Sequence, residues 1–546
     1  MAQSQGCKNP YRKNALMPNK ATDTVLHYHN RTKHSLARYA KGPETIDWED
    51  QPDPFRRFSG CKTINLPKPG AELKPLFTDL DNPRAIAPQP LNLVSVGLLL
   101  ELSFGLSAWK EYGPNRWALR CNPSSGNLHP TEAYFVTTHN DFLEAGVYHY
   151  VSHDHHLEQR CQFSNNLPIG DIFIGLSSIH WREAWKYGER AYRYCQHDIG
   201  HAIGALRYAA ATLGWPVELL TEWSDVDVAS LLGLNRRDDF KALEHEAPDI
   251  LCRIKTHTNQ PLDTRTLLET AQSGAWFGKA KSLRAYHFYK WPIIDEIALA
   301  ASKPSTEETA WPTLHQPPLK SSCTQTATAI IRQRRSAQQF DGKMSPLPEA
   351  DFYRILTAVL PTTAAFDLWR DPAKIHLFIF VHRVAGLAPG LYALPRTPVA
   401  LAPLQTATSA DFDWQKVDGA IPLYHLYSGE CRQIVKTLSC HQSIASDSAF
   451  SLAMVAEFST AIETAPWLYR RLFWECGLIG QVLYLEAEAS GVRGTGIGCY
   501  FDDSVHELLG FKDARFQSLY HFTVGKPLED KRLQTLPAYG HWLPTM

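Results

Sequence analysis

Apolar residues recur at helical spacing in two long segments of the chain, 190–213 and 467–490. Each segment carries glycines near its middle, such as Gly200 in the first and Gly477 in the second. Small residues let the backbone of another helix approach closely, and long helices of this kind commonly form the centre of a dimer. We therefore predict that the two helices pack against each other within one chain, as an intramolecular pseudo-dimer.

Two shorter apolar runs, 133–137 and 377–381, are rich in β-branched and aromatic residues and predict strands. A glycine and, two positions later, a tyrosine follow each run, at 146–148 and 390–392. Each half of the chain is thus predicted to contain an early helix, a middle strand or hairpin, a long helix and a glycine-containing loop.

The long helices belong to an internal repeat. Residues 192–233 align with residues 469–510 at a constant offset of 277, and 11 of the 42 positions are identical. Average composition would give roughly two or three identities. Unrelated helices would not keep this register through the following loop, so we predict a tandem duplication. The identical pairs are Tyr192/Tyr469, Arg193/Arg470, Gly200/Gly477, Leu206/Leu483, Ala210/Ala487, Gly214/Gly491, Asp225/Asp502, Val228/Val505, Leu231/Leu508, Leu232/Leu509 and Gly233/Gly510.

The repeat and the prolines together divide the chain. Between the halves stand Pro292, Pro304, Pro312, Pro317 and Pro318, which mark a linker. We predict an extended N-terminal arm at 1–85, a first domain at 86–290, a proline-rich linker at 291–325 and a second domain at 326–546.

The composition indicates a folded protein without electrostatic attraction to nucleic acid or anionic membranes. Of the 546 residues, 44% are hydrophobic and 20% are charged, and the formal net charge is −1. The 11 cysteines include no CxxC pair, which argues against a disulfide scaffold or a zinc ribbon. The N-terminus lacks an apolar signal core and the apolar runs are too short for a bilayer. We expect a cytoplasmic protein with no nucleic-acid, membrane or metal partner.

Candidate ligand-binding residues are unequally distributed between the halves. The sequence RRSAQQF, from Arg334, is predicted to open a helix, where two guanidinium groups and a hydroxyl could receive a phosphate; the alternative is a solvated helix face. In GTGIGCYFDD, from Gly494, alternate glycines would let the backbone approach a flat ligand; the alternative is a turn without a ligand. The aligned residues 217–221 contain no glycine, which suggests that one half kept a ligand site and the other lost it.

Two further segments could complete such a site. Lys531 and Arg532, predicted to follow the last strand, could close an anion pocket or form an exposed basic pair. In the first half, NPSSGNLHPTE from Asn122 predicts a polar turn rich in donors and acceptors. His197 and His201 lie one helical turn apart, but their counterparts Trp474 and Leu478 favour a packing face over a metal site.

Several long strings resemble the flavin nitroreductase superfamily, and within it the SagB-type or thiazoline (azoline) oxidase-like dehydrogenases. They are HYHNRTKHSLARYAKG, IDWEDQPDPFRRF, NPSSGNLHPTEAYFV, EAWKYGERAYRYCQHDIGHAIGAL and GTGIGCYFDDSVHELLGF. The resemblance covers most of the chain. It implies an α+β fold with an antiparallel-dominated sheet and long helices, and FMN at an interface between two such units.

The resemblance also implies which residues hold the flavin. In the second half it assigns phosphate binding to Arg334, Arg335 and Ser336, and contact with the flavin edge to Gly496, Ile497 and Gly498. It also assigns Lys531 and Arg532 to a C-terminal phosphate clamp. In the first half it assigns the segment that reaches the flavin from the opposite unit to Pro123, Ser124, Ser125 and Asn127.

A Lys-Tyr pair acts in proton chemistry in the azoline oxidases, and Lys186-Tyr187 matches it. A lysine whose pKa is lowered by desolvation could accept the proton that leaves while hydride passes to the flavin. The alternative is a surface helix with a snorkelling lysine. The repeat aligns the pair with Glu463 and Thr464, so we expect one competent site and about one FMN per chain.

A mirror-image site would combine one segment from each half and is predicted to be degenerate; its residues would be Lys33, His34, Ser35, Pro361, Thr362 and Thr363.

These observations predict an FMN-dependent oxidoreductase, with three readings of its role. The substrate is an azoline in a modified peptide, or the enzyme reduces small electron-poor compounds with NAD(P)H as nitroreductases do. In the third reading the chain is a non-catalytic partner subunit of a peptide-modifying complex. The oligomeric state beyond the pseudo-dimer, including a further homo-oligomer, is left open.

Overall fold

The computed structural model describes residues 18–138, 141–164, 172–256, 264–284, 286–308 and 316–540. At its centre lie the two predicted long helices, Ala191–Thr212 and Leu468–Ala489, with each end within one residue of the predicted position. Almost every residue of both helices is buried, because the helices contact each other as well as the two main sheets.

The two helices meet through reciprocal contacts. A Cβ atom added to Gly200 would overlap the Trp474 carbonyl oxygen and lie 2.8 Å from the Gly477 Cα. A Cβ atom added to Gly477 would overlap the His197 carbonyl oxygen and lie 2.8 Å from the Gly200 Cα. Because residue 197 corresponds to 474 at the offset of 277, each contact has its counterpart, which is the pattern of a two-fold interface.

Buried ion pairs repeat this symmetry. Arg193 of the first half pairs with Asp502 of the second at 2.8 Å, and Arg470 of the second pairs with Asp225 of the first at 2.7 Å. Both pairs join positions that the repeat relates. Each carboxylate lies in the first turn of a helix, in Asp225–Leu232 and in Asp502–Leu509. The halves are therefore held together by equivalent groups on both sides of the helix crossing.

Two large sheets flank the helices, and the pairings between their strands are antiparallel. The first has the order Ala275–Trp276, His156–Gln162, Gly146–Val151, Thr131–Thr137, Ile172–Ser178, Ala247–Ile254, Val217–Leu219, and Lys62–Asn65 also pairs with His156–Gln162. The second has the order Gln415–Lys416, Tyr424–Ser428, Gly390–Leu394, Ile375–Val381, Phe450–Glu457, Phe516–Gly525, Arg493–Ile497. Numbered along the chain, six strands of each sheet follow the order 3-2-1-4-6-5.

A third, three-stranded sheet combines the halves. Gln534–Leu536 pairs with Leu106–Tyr112, which pairs in turn with Asn115–Arg120. A two-stranded sheet joins Phe58–Ser59 to Lys279–Ala280. The remaining α-helices are Pro18–Arg31, Leu93–Phe104, His180–Tyr187, Thr264–Ser273, Pro292–Ala300, Ala327–Gln333, Glu349–Ala358, Leu401–Ala407, Arg432–Leu438, Ser443–Ser446 and Ser459–Thr464. The fold is thus α+β with antiparallel sheets, as expected.

The predicted linker and arm both contain helices. Pro292–Ala300 lies within the predicted linker and packs on Pro18–Arg31, which lies within the predicted extended arm. The latter helix buries Val25 and Tyr28. These apolar positions, spaced about one turn apart, explain why the segment is helical rather than extended. The parts of the arm and linker at 1–17 and 309–315 lie outside the described residues.

The segment expected to open a helix at Arg334 instead ends one. Thr326 caps the helix Ala327–Gln333 by accepting a hydrogen bond from the Ala329 N–H at 3.2 Å. Arg334 follows with φ −51° and ψ 126°, so the backbone leaves the helix there. The helix therefore begins seven residues earlier than expected, and Arg334 and Arg335 lie at its C-terminus. The predicted helix start was wrong.

Candidate functional site

A cavity of about 220 Å³ lies where the two halves meet near the third sheet. Its wall combines first-half and second-half residues, which are Lys110, Trp117, Leu119, Arg120, Asn122, Pro123, Ser124, Asn127, His129, Arg334, Arg335, Ser336, Ala337, Gln338, Arg493, Pro527, Leu528, Glu529, Asp530 and Leu533. Six of the twelve residues assigned to flavin binding from sequence are therefore part of one cavity.

Arg334 supplies the cavity with a buried cation whose hydrogen-bonding groups are only partly satisfied. Its side chain is 3% exposed, stacks over the Tyr484 ring at 5.0 Å and donates one hydrogen bond to the Arg120 carbonyl at 3.0 Å. Its Nε and Nη1 atoms have no hydrogen-bond partner among the described residues. Burial lowers the pKa of Arg334 because the charge lies away from water, and the Glu488 carboxylate opposes this shift only in part.

The remaining charges around the cavity are mainly positive. Besides Arg334, four cationic side chains and two carboxylates line it. Burial, together with the neighbouring Arg334, lowers the pKa of Arg335 to about 10, and burial lowers that of Arg120 to about 10. Of the two carboxylates, Glu529 is paired with Arg493 at 2.5 Å. The excess of buried positive charge favours an anionic ligand.

Ser336 and Gly496 are linked through one tyrosine. The Tyr484 hydroxyl lies 2.9 Å from the Ser336 Oγ and accepts a hydrogen bond from the Gly496 N–H at 2.9 Å. The tyrosine therefore brings the serine of the arginine motif and the glycine segment together. Tyr484 was not identified from the sequence, where it appears as one more apolar position of the long helix.

The glycine segment is not a free loop. Arg493–Ile497 is an edge strand, with Gly496 opposite Phe522, and Ile497 is 3% exposed. A Cβ atom on Gly496 would overlap the Tyr520 hydroxyl, and one on Gly498 would overlap the Tyr194 ring. The glycines are thus required for close approach, but the groups that approach them are tyrosine side chains.

Lys531 and Arg532 do not line the cavity. The Arg532 side chain is 71% exposed and pairs with Asp530 at 2.7 Å. The expectation that they follow the last strand was wrong, since Gln534–Leu536 comes after them. The strand Gln534–Leu536 has three residues and was too short to be recognised from its pattern. The structure therefore does not bring Lys531 and Arg532 to Arg334.

The polar turn of the first half is anchored to the long helix by a carboxylate. The Asp198 Oδ1 accepts hydrogen bonds from the Ser125 N–H and the Ser125 Oγ, both at 3.0 Å. Burial raises the pKa of Asp198 to about 7, although hydrogen bonds from Ser124 and Ser125 oppose the rise. Sequence reasoning missed Asp198, whose only signal was its place between the two histidines.

The Lys-Tyr pair lies beside the same turn. The Tyr187 ring contacts the Tyr194 ring at 4.6 Å, and a Cβ atom added to Gly126 would overlap the Tyr187 hydroxyl. Lys186 is half-buried, with its Nζ 5.2 Å from the centre of the Trp48 ring, and burial lowers its pKa. The structure thus places Tyr187 next to the Ser125–Asn127 turn.

A second buried carboxyl group, Glu183, lies one turn before Lys186 on the helix His180–Tyr187. Neither carboxyl oxygen has a hydrogen-bond partner among the described residues. Burial, with a contribution from Asp198, raises the pKa of Glu183 well above its usual range. Glu183, Lys186 and Asp198 therefore form a group whose charges are all disfavoured by burial, which is typical of proton-transfer sites.

The mirror-image site is not assembled from the predicted segments. Lys33 pairs with Asp503 at 2.9 Å, and the His34 N–H donates to Asp502 at 3.0 Å. Thr363 bonds instead to the Ala358 carbonyl at 2.9 Å. The segment at 33–35 thus contacts the second half near the glycine segment and not at residues 361–363. The reason is that this segment directly follows the helix Pro18–Arg31, which ends there.

His197 and His201 pack as predicted from their counterparts. The His197 Nε2 lies 3.1 Å from the Leu519 carbonyl oxygen, and the His201 Nε2 lies 3.0 Å from the Tyr520 hydroxyl.

Among the described residues no helix is both long and apolar enough to cross a membrane.

The cavity fits the phosphate end of FMN but not the whole molecule. Arg334 offers unpaired N–H donors, and Ser124, Asn127 and Ser336 add polar groups. The volume of about 220 Å³ is smaller than the roughly 300–1,000 Å³ of pockets that enclose whole ligands. The glycine segment, expected to contact the ring system, is covered by tyrosines in this conformation.

Comparison with solved structures supports the fold. A nitroreductase-like protein from Anabaena variabilis is similar over 92% of this chain and 99% of its own, with 21% identity and a TM-score of 0.65. A nitroreductase-like protein from Ralstonia eutropha covers 40% of this chain at 17% identity with a TM-score of 0.28, and the E. coli microcin synthetase McbBCD complex covers 47% at 16% with a TM-score of 0.25. No protein-family model and no curated protein sequence matches the chain. The chain has a nitroreductase-like fold.

Proposed function

We propose that the protein is an FMN-dependent oxidoreductase whose flavin phosphate binds in the cavity between the halves. The observation that carries the proposal is the unpaired, buried Arg334 guanidinium in a cavity walled by both halves. A nitroreductase-like fold and flavin-containing neighbours of that fold agree with this assignment. Bound FMN would supply the two-electron redox step, and the chain supplies position and proton transfer.

Residues of both halves would hold the coenzyme. Arg334 and Ser336 would donate hydrogen bonds to the phosphate, while Ser124 and Asn127 line the cavity from the other half. Arg335 is committed to carbonyl oxygens, with a 2.7 Å hydrogen bond to Ser107, so its contribution is the charge alone. We do not assign the phosphate to Lys531 or Arg532, since both lie outside the cavity lining.

The proton released in the reaction would be accepted and transferred by Lys186, Tyr187 and Asp198. A lysine with a lowered pKa can accept a proton near neutral pH, and a protonated aspartic acid can return one. The Ser125 hydrogen bonds connect Asp198 to the turn that lines the cavity. A substrate that loses a proton as it is oxidised, such as an azoline in a modified peptide, fits this arrangement best.

Titration of the full chain with FMN tests the proposal. We expect binding of about one FMN per chain, and a roughly ten- to hundredfold weaker affinity for Arg334→Ala, since each charge-assisted hydrogen bond contributes about 1.5–3 kcal/mol. Arg532→Ala is the matched control and should change the affinity less than twofold. Unchanged affinity of Arg334→Ala, or two FMN per chain, would contradict the proposed site.

A reaction assay separates the two enzyme readings. Anaerobic bleaching of bound flavin by a thiazoline-containing peptide supports azoline oxidation, and bleaching by NADPH alone supports a nitroreductase-type reductase. The first is our proposal, because the half-buried Lys186 has no role in simple hydride uptake from NADPH.

One observation favours a second candidate, a non-catalytic partner subunit. The tyrosines against Gly496 and Gly498 occupy the space next to the glycine segment. If they stay there, the cavity binds only a small anion. The FMN titration distinguishes the two: a partner subunit would bind inorganic phosphate and leave FMN free.

We further propose that the halves arose by tandem duplication and form a pseudo-dimer with one surviving site. The shared strand order 3-2-1-4-6-5 and the reciprocal Gly200–Gly477 contact support this. The same proposal includes domain limits of 86–290 and 326–546. It also includes a cytoplasmic location and a modified-peptide or small-molecule substrate.

A further inference from the structure

Cys440 and Cys499 form a pair of thiols outside the proposed flavin site. Their Sγ atoms are 2.7 Å apart, although the residues are 59 positions apart in sequence, and neither takes part in a disulfide. Both residues are only partly buried. Cys499 directly follows Gly498, and Cys440 lies between the helices Arg432–Leu438 and Ser443–Ser446.

The backbone is arranged to bring the two thiols together. Cys440 and His441 have φ values of +52° and +61°, in the left-handed region that residues with side chains rarely adopt. The Phe501 N–H donates to the Leu438 carbonyl at 2.8 Å, which ties the two segments together. The Gln442 side chain donates to the Cys499 carbonyl at 3.2 Å. Two hydrogen bonds and a left-handed turn therefore fix the distance between the two segments.

The groups around Cys499 favour its thiolate form. The His34 Nδ1 accepts a hydrogen bond from the Ala40 N–H at 2.8 Å, so in the neutral ring the proton resides on Nε2, which can donate to the sulfur. Arg190 donates to the Gly498 carbonyl at 3.1 Å and places a cation nearby. The hydrogen bond from Cys440 lowers the pKa of Cys499 most, and His34 and Arg190 lower it further against the effect of burial.

We propose that Cys440 and Cys499 are a reversible dithiol–disulfide pair that reacts with hydroperoxides. The Cys499 thiolate attacks hydrogen peroxide, the O–O bond breaks, a sulfenic acid forms and the released hydroxide takes up a proton as water. The Cys440 thiol then attacks the sulfenic sulfur, the S–S bond forms and a second water leaves. Two thiols and one peroxide thus give one disulfide and two waters, and a dithiol reductant restores the pair by exchange.

The pair lies outside the cavity of the proposed flavin phosphate and can be tested by mass spectrometry without any turnover assay. The full chain is treated with one equivalent of hydrogen peroxide, alkylated and digested. We expect a cross-linked peptide that contains both cysteines, and its complete loss after treatment with dithiothreitol. In Cys440→Ser the reaction should stop at a Cys499 sulfenic acid that dimedone traps, and Cys499→Ser should form no cross-link.

Two further measurements distinguish a redox pair from chance proximity. Cys323, which is also partly buried, is the matched control: Cys323→Ser should leave the cross-link unchanged. His34→Ala should slow alkylation of Cys499 at neutral pH by about tenfold or more, since the thiolate loses its donor. The proposal is overturned if both thiols remain alkylatable after peroxide, if Cys499 oxidises further without a cross-link, or if it pairs with another cysteine.

Discussion

Gly200 and Gly477 lie against each other where the long helices cross, and neither position has room for a Cβ atom. The first prediction concerns this contact. Gly200→Ala would push a methyl group into the Trp474 carbonyl and the Gly477 backbone, neither of which is a flexible side chain. We expect a loss of about 3 kcal/mol or more in the free energy of unfolding, at the upper end of overpacking costs.

Gly42→Ala is the control, because a Cβ atom there would meet nothing within 4 Å. It should change stability by less than about 0.5 kcal/mol in urea denaturation. Equal stability of the two variants would mean that the helices can separate at this point without cost.

The second prediction concerns Asp502, which Arg190 and Arg193 contact at 3.0 and 2.8 Å. Burial alone would raise the pKa of Asp502, but the two arginines hold it well below its ordinary value. This stabilisation is therefore complete above the unfolded pKa of 3.8 and is lost as the pH falls below it. Asp502→Asn leaves two buried cations without their partner and should cost about 3–5 kcal/mol at neutral pH.

The neighbouring Asp503→Asn is the comparison, since Asp503 is half-exposed and pairs with Lys33 and His506. Its cost in the same denaturation experiment should remain below about 1 kcal/mol. A similar cost for both variants would argue against the buried network as the connection between the halves.

The third prediction uses the proton of Asp198. Because burial raises its pKa from 3.8 to about 7, the folded protein holds this proton more tightly than the unfolded chain does. The resulting stabilisation is complete below pH 3.8 and is lost as the pH rises to about 7. Asp198→Asn does not titrate, so it should gain stability relative to wild type across this range, by at most about 4 kcal/mol.

Thermal unfolding of both proteins at pH values of about 4.5, 6 and 8 measures this difference. Asp513→Asn, at an exposed position whose pKa is lowered by the Arg515 N–H, should show no gain with rising pH. A constant difference between Asp198→Asn and wild type would show that Asp198 is charged throughout.

The fourth prediction rests on the proposed proton chemistry. Lys186→Ala should bind FMN as wild type does, since Lys186 does not line the cavity, but bleaching by a thiazoline peptide should slow by about 10²–10⁴-fold. Lys512→Ala, at an exposed lysine, is the control. Full activity of Lys186→Ala would remove the lysine from the proton path.

The sequence predicted those features that depend on local pattern. Both long helices and their reciprocal packing followed from apolar periodicity and from the glycines at 200 and 477. The helix start at Arg334 was wrong because Thr326 provides an earlier cap. The glycine segment was read as a loop, since an edge strand of glycines has no alternating apolar pattern, and its pairing partner lies more than 20 positions away.

The parts of the site that could not be predicted are contacts between distant residues. Tyr484 and Tyr520 approach Gly496 from two different elements, and no spacing in the chain links them. Asp198 was hidden inside a helix whose pattern indicated only packing. The proximity of Cys440 to Cys499 likewise depends on a left-handed turn that composition does not reveal.

The reciprocal ion pairs Arg193–Asp502 and Arg470–Asp225 have a consequence for how the molecule can change. In an assembly of two identical subunits every substitution occurs twice, so neither copy can specialise without the other. Under the duplication that we propose, the two halves are joined in one polypeptide, so they are always made in equal number and each can change separately. The contacts between the halves can then remain while only one half keeps its glycines. Residues 494–498 contain glycines and the aligned residues 217–221 contain none.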